Sequence, residues 1–425
     1  MIVSLTLGLL ILLVLALPVG VVLFLLGFGV DAFFSAFPLI RGLGQVVWSS
    51  SNSSLLIAIP FFVLLGEILV RSGVAERTYQ ALDAWLSWLP GGLIHANIGT
   101  ATVFSATSGS SVATAATVAT VAMPQASRLG YDPRLFSGAI AAGGTLGIMI
   151  PPSINLIVYG FLTETSIPRL FLAGLVPGLL LALGFMVVTV IICQLRPAWG
   201  GPSRQADWGE RLRGLWDLVP IAVLFLVVIG SIYRGWATPT EAAAVGVAAA
   251  LVIAGLRGGV SVAMLTESLL GTVRITAMIM LVIIGAYFLN YTLASAGLGR
   301  ELQSLLEGLN LGPYGTLLAV VALYIVLGFF IETLSLMVAT IPIVVPIVAA
   351  MGFDKVWFGI LLILLIEMAL ITPPVGLNLF VVQGARGSGN LSEVMVGAAP
   401  FVFTMLGMAV LLILVPGLAL WLPGG

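Results

Sequence analysis

Long apolar runs alternate with short polar or glycine- and proline-rich breaks along the whole chain. The runs cover roughly 2–27, 54–70, 135–150, 170–193, 218–233, 240–256, 275–294, 315–331, 356–371 and 398–422. A bilayer crossing needs about 20 apolar residues, and fewer where a segment only dips in. With shorter apolar segments around 95–122, 153–163, 333–350 and 375–383, the pattern predicts roughly a dozen membrane elements. The expected fold is an all-α polytopic membrane protein.

The pattern also repeats. Pro124, Gly130, Asp132, Phe136, Pro151 and Pro152 each find an identical residue 222 positions later, at Pro346, Gly352, Asp354, Phe358, Pro373 and Pro374. Upstream the echo is fainter and slipped by two residues, Arg71-Ser72-Gly73 standing against Ser295-Ala296-Gly297. Two apolar units, each interrupted by a double proline, are what secondary transporters look like, with ligand sites where broken helices meet at the midplane. We therefore expect a first transmembrane repeat over 1–195, a basic linker over 196–217, and a second repeat over 218–425. The hairpin and broken helix of each copy would lie in 95–163 and 325–385. An odd number of crossings per copy would make the two copies inverted in topology.

Composition changes the picture little. Sixty per cent of residues are apolar and 8% charged, against about a quarter charged in a soluble domain. A net charge of −1 argues against nucleic acid. Cys193 stands alone and can form no internal disulfide, and the single histidine, His95, gives little support to a metal centre or hydrolase triad. The linker carries Arg196, Arg204, Arg211 and Arg213, which places it on the cytoplasmic side. Met1 to Gly20 lacks a basic leader and reads as a retained first helix.

Candidate chemistry lies at the breaks. Ser105, Thr107, Ser108, Gly109, Ser110 and Ser111 form a hydroxyl cluster at membrane depth. Such a cluster is expensive unless it lines a cavity or is buried in protein. The helix after it would present free amides. Pro151-Pro152 removes two amide donors and should open the helix near Gly147 to Pro152, freeing carbonyls such as those of Gly147 and Ile150 for a bound cation. Hydroxyl and carbonyl oxygens suit a small hard cation such as Na⁺. In the second copy Glu332 falls opposite Ser110 and Glu367 opposite Thr145. Carboxylates at membrane depth cost at least about 2.5 kcal/mol, so both are candidate coupling groups. Glu67, four residues before Arg71, reads as a helical ion pair. Arg274, at the start of the apolar run 275–294, is a candidate for meeting an anionic substrate.

Three motifs, Ser-Gly-Ser-Ser at 108–111, Gly-Thr-Leu-Gly-Ile-Met-Ile-Pro-Pro-Ser at 144–153 and Thr-Pro-Pro-Val-Gly-Leu-Asn at 372–378, resemble the large membrane (M) subunit of the tripartite ATP-independent periplasmic (TRAP) transporters. The likeness runs essentially end to end. It implies an elevator-type symporter in the bacterial inner membrane, driving Na⁺-coupled uptake of an organic acid such as a C4-dicarboxylate or sialic acid. It also implies two partners, a small four-helix membrane (Q) subunit, expected as a separate chain, and a soluble periplasmic substrate-binding (P) protein. No organic cofactor and no enzymatic activity are implied. Carried over by position, one Na⁺ site would use Ser108 and Ser110 with carbonyls of Gly147, Ile150 and Pro152. The second would use Thr372 with groups around Gly328 and Thr333. The substrate would meet Gly109, Ser111, Ser153, Asn155, Gly376 and Asn378, between the hairpin tips. The chain departs from the family where Glu332-Thr333 replaces a usual Asp-Pro, and where Ala369 stands at a position often held by glycine. Competing readings are a stand-alone Na⁺- or H⁺-coupled anion carrier with no binding protein, an intramembrane serine hydrolase, and a channel.

Overall fold

The computed structural model describes the chain except residues 16, 36, 54, 109, 203–205, 298–300, 302–311, 330 and 425, and the side chains at 2, 3, 6, 10, 13, 14 and 105–108. The first half contains α1 (Ile2–Val14), α2 (Val19–Phe34), α3 (Leu43–Ser51), α4 (Ala58–Arg71), α5 (Val74–Leu86), α6 (Leu93–Ser108), α7 (Ser111–Leu129), α8 (Pro133–Met149), α9 (Ile154–Thr163) and α10 (Ile167–Leu195). The second half contains α11 (Trp208–Tyr233), α12 (Pro239–Leu256), α13 (Val262–Ser295), α14 (Gly312–Gly328), α15 (Thr333–Ala350), α16 (Lys355–Ala369), α17 (Leu377–Arg386) and α18 (Leu391–Leu414). Among the described residues, six helices are long and apolar enough to cross a membrane. The count is eight if the bent pairs α4–α5 (68°) and α8–α9 (41°) each count as one span. Shorter apolar helices at Val19–Phe34, Leu93–Phe104 and Gly312–Gly328 bring the elements close to the number predicted.

One expectation needs correction. The apolar run 2–27 is two helices, not one, because Pro18 is the N-cap of α2 and separates it from α1. Proline has no amide to donate to a continuing helix and disfavours helix in the residue before it. Within the stretch 196–217, α11 already begins at Trp208, capped by the Asp207 side chain accepting from the Gly209 amide.

The repeat is visible element by element. Shifted by 222 residues, α7, α8 and α9 fall on α15, α16 and α17, and α10 falls on α18. Asp132 and Asp354, one repeat apart, cap α8 and α16 by accepting from the Arg134 amide and from the Val356 and Trp357 amides. The two-residue slip upstream also has a structural form. Arg71 ends α4 and Ser295 ends α13, and Gly73 and Gly297 follow at φ 73° and 86°, the left-handed conformation that glycine supplies without a Cβ penalty.

The copies brace one another. The inner arm of the first hairpin, α7, packs on α17, and the inner arm of the second, α15, packs on α9. Each hairpin is thus supported by the far half of the other copy's broken helix. Tyr159 of α9 donates to the Lys355 carbonyl at 2.7 Å, while Lys355 Nζ reaches the Thr163 carbonyl at the end of α9. Behind this core, α8 crosses α18 with Gly138 and Gly397 in backbone contact. A Cβ on either would collide with the other helix's main chain. Small residues at such crossings let helix backbones approach in a membrane interior. The helices α2, α4, α12 and α13 pack together as a separate layer, with α11 against α5 and α12.

Candidate functional site

Both hairpin tips turn into helices in the same way. Ser110 is the N-cap of α7, its hydroxyl accepting from the Ala113 amide at 3.3 Å. Glu332, its repeat mate, is the N-cap of α15, its carboxylate accepting from the Ser335 amide at 3.1 Å. An acidic cap suits the positive end of a helix, so Glu332 has a structural duty as well as its position at the tip. Ser108 ends α6 with its side chain outside the described residues, and Gly109 lies outside them altogether.

The breaks follow from the prolines. α8 ends at Met149 and α16 at Ala369, and the Pro-Pro bonds at 151–152 and 373–374 are cis. An amide four residues on would normally bond the carbonyls of Gly147 and Ile148, but those positions are Pro151 and Pro152, which have none. After each break the chain re-enters helix at Ser153, whose hydroxyl accepts from the Leu156 amide, and at Gly376, with φ 58°. Gly147, Ile150, Pro152, Gly328 and Gly376 are buried, whereas Pro373 and Pro374 are exposed and Thr372 is half-buried. The Thr372 hydroxyl donates to its own helix, at the Met368 carbonyl, 2.6 Å away.

The tips and breaks converge on one cavity of about 190 Å³. Its wall is pseudo-symmetric: Ser110, Ser111 and Ile148 from the first copy face their repeat mates Glu332, Thr333 and Leu370 from the second. Asn155 closes it beyond the first break, and α4 and α13 close it from the outer layer through Glu67, Ile275 and Met278. Arg274 is exposed and is not among the lining residues. Among the described residues, the lining groups that ionise are therefore Glu67 and Glu332, both acidic. The predicted Glu67–Arg71 pair is present at 2.9 Å, and Arg71 also holds Glu267 at 2.5 Å. Sequence reading assigned Glu67 to this pair alone, but it also lines the cavity. The signal was available, since Glu67 is an acid inside the apolar run 54–70.

Just behind the cavity wall lies a polar knot that the linear sequence did not show. Glu367 is completely buried, and its Oε1 accepts from the Thr333 hydroxyl at 2.9 Å. Asn378, also completely buried, donates through Nδ2 to the Ser111 hydroxyl at 2.9 Å and to the Ala141 carbonyl at 3.2 Å. Thr145, the repeat mate of Glu367, is engaged elsewhere: it donates to the Ala142 carbonyl and lies 3.8 Å from Met405 Sδ. Of the expected substrate positions, the structure brings Ser111 and Asn155 to the cavity and Asn378 against Ser111. Ser153 and Gly376 serve as helix starts.

Residues 6–418 match the family model described as tripartite ATP-independent periplasmic transporter, DctM component. The chain is 35% identical over 387 residues to a C4-dicarboxylate TRAP transporter large permease protein of Pseudomonas aeruginosa, covering 90% of each. It is 34% identical over 344 residues to a sialic acid TRAP transporter large permease protein of Vibrio cholerae, covering 80% of this chain and 79% of that one. An isethionate TRAP transporter permease protein of Oleidesulfovibrio alaskensis is 31% identical, with 89% of this chain covering 60% of its length. Among solved structures, the YdaH transporter of Alcanivorax borkumensis shares the fold at a TM-score of 0.60 and 16% identity, over 96% of this chain and 98% of that one.

Proposed function

Because the chain belongs to the DctM-component family of tripartite ATP-independent periplasmic transporters, a multi-pass inner-membrane family, we propose that it imports an organic acid in symport with Na⁺. The acid is handed over by a periplasmic binding protein, and a small membrane subunit completes the complex. The observation that carries this reading is the cavity built jointly from both hairpin tips and the first break. Paired broken helices meeting at one site suit alternating access better than a continuous pore.

The chemistry of the wall supports cation coupling. A carboxylate entering this site meets like charge at Glu332, since Glu67 is paired with Arg71, at a cost of about 1 to 4 kcal/mol for a pair at 4 Å, depending on local dielectric. The helix starts of α7 and α15 offset part of this through their amides. Na⁺ bound at the breaks supplies the rest, so substrate affinity rises with Na⁺. The first ion would use Ser108 and Ser110 with carbonyls of Gly147, Ile150 and Pro152. The second would use Thr372 with groups around Gly328 and Thr333. The two braced copies would travel as one body against the layer of α4 and α13, in the manner of an elevator. C4-dicarboxylates and sialic acids are the first acids to test, since the relatives above carry those names.

The test is uptake into proteoliposomes containing this chain and its small subunit, with the binding protein loaded with labelled acid outside. Uptake that requires an inward Na⁺ gradient and the binding protein supports the proposal. Uptake of free acid at full rate without the binding protein would favour a stand-alone carrier instead.

A further inference from the structure

We infer that Glu367 and Asn378 form a further Na⁺ site, which shares Thr333 with the second proposed site but adds two side-chain oxygens that neither proposed site uses, placed where the two hairpin tips meet. The inference rests on the Na⁺-coupled reading above and adds a site with a carboxyl group of its own.

Two buried oxygens in this knot have no hydrogen-bond partner, Glu367 Oε2 and Asn378 Oδ1. The orientation of the Asn378 amide is fixed, because one of its contacts is the Ala141 carbonyl, which only accepts, so Nδ2 must point there and Oδ1 must be the atom left over. Ser111 lies next to the same Glu367 carboxyl but closes no hydrogen bond on Oε2. Thr333 gives its hydroxyl to Oε1, and Asn378 gives its amide hydrogen to the Ser111 hydroxyl beside the acid.

Among the described residues no arginine or lysine pairs with Glu367. Lys355, on the same helix, sits twelve residues away, about 18 Å along an α-helix, and is turned to Thr163. The other charged neighbour is Glu332 at the second tip, which adds like charge. Tyr324 of α14 is engaged with Thr340, and Tyr159 of α9 with the Lys355 carbonyl. A buried carboxylate left without a partner costs several kcal/mol. A carboxylate oxygen, an amide oxygen and hydroxyls are hard ligands, the set that a small hard cation takes. An ion there touches Ser111 and Thr333, repeat mates on the two hairpin tips, and so ties both tips shut.

The experiment is equilibrium binding of ²²Na⁺ to the purified full chain in detergent, at constant ionic strength and pH 8, with choline as the replacement cation. The wild type is compared with Glu367→Gln, Glu367→Asp and, at the first proposed site, Ser110→Ala. Loss of one bound Na⁺ in Glu367→Gln, with the number kept but affinity at least tenfold weaker in Glu367→Asp, supports the site. If Glu367→Gln does not fold, unchanged Na⁺ affinity in Glu367→Asp overturns it. Equal Na⁺ numbers in wild type and Glu367→Gln also overturn it and leave a proton as the counter-charge, while the loss of an ion in Ser110→Ala would leave the first site standing. A wild type that binds no Na⁺ defeats both this inference and the Na⁺-coupled reading.

Discussion

The Asn378 carboxamide donates to the Ser111 hydroxyl at 2.9 Å, across a sequence separation of 267 residues. One end belongs to the second broken helix and the other to the first hairpin tip, so this bond joins the two repeats through a pair of buried polar groups. Asn378→Ala removes both of its donors and leaves the Ala141 carbonyl without that partner. The expected cost is about 1 to 3 kcal/mol, read as a lower unfolding temperature in detergent. A variant as stable as the wild type would show that the bond contributes nothing net.

The crossing of α8 and α18 predicts a sharper penalty. Gly397→Ala would drive a methyl into the Arg134 carbonyl, and Gly138→Ala would drive one into the backbone of Gly397. Main chain cannot yield as a side-chain tip can, so each should cost at least the 1 to 3 kcal/mol typical of overpacking. Gly407→Ala, on the same α18 with nothing within 4 Å of its Cβ position, is the control and should gain slightly in helix propensity. Size-exclusion profiles and melting temperatures of the three variants decide the matter.

Arg71 allows structural and electrostatic roles to be separated. Its ion pairs are partly exposed, and such pairs contribute about 0 to 1 kcal/mol, so Arg71→Ala should melt close to the wild type. Uptake should suffer more, because Glu67 on the cavity wall would lose its partner and repel an anionic substrate. About 1 kcal/mol of added repulsion corresponds to a roughly fivefold higher KM. Adding Glu67→Gln to Arg71→Ala should restore KM. No restoration would remove Glu67 from any contact with the substrate's field.

Asp132 gives a pH signature at the loop end of the first hairpin. Burial acts to raise its carboxyl, but hydrogen bonds and charge from Arg134 outweigh this and hold it below the usual value of 3.8. A carboxyl depressed in the folded state stabilises fully above its unfolded value and loses that contribution as pH falls through the folded one. Unfolding temperature should therefore decline below about pH 4 in the wild type. Asp132→Asn keeps a capping side chain without the charge, so its melting temperature should decline less over that range.

The fold was largely legible because its strongest signals are local. Proline has no amide and glycine tolerates positive φ, so Pro151-Pro152, Pro373-Pro374 and Gly376 mark the breaks wherever they are read. Asp132 and Asp354 mark helix starts by the same logic. The first helix pair was missed because an apolar run hides Pro18, whose effect depends on one amide rather than on hydropathy. The candidate site was legible in its parts but not in its wiring. Glu367 and Thr145 could be matched by offset, yet only packing reveals that one turns to Thr333 and the other to Met405. Contacts such as Asn378 with Ser111 join residues in different copies, and no periodicity encodes them.

The unequal pair Glu367 and Thr145 has a consequence for how such a molecule can arise. Two identical half-sized chains paired about a twofold axis would carry the same residue at both positions. With glutamate in both, two acids would share one dry interior; with threonine in both, there would be none. Joining the halves into one polypeptide frees each position to diverge, so that Glu332 and Glu367 can both fall on the second copy while Ser110 and Thr145 stand opposite them. Covalent linkage is what permits acids on one side only of such a twofold design.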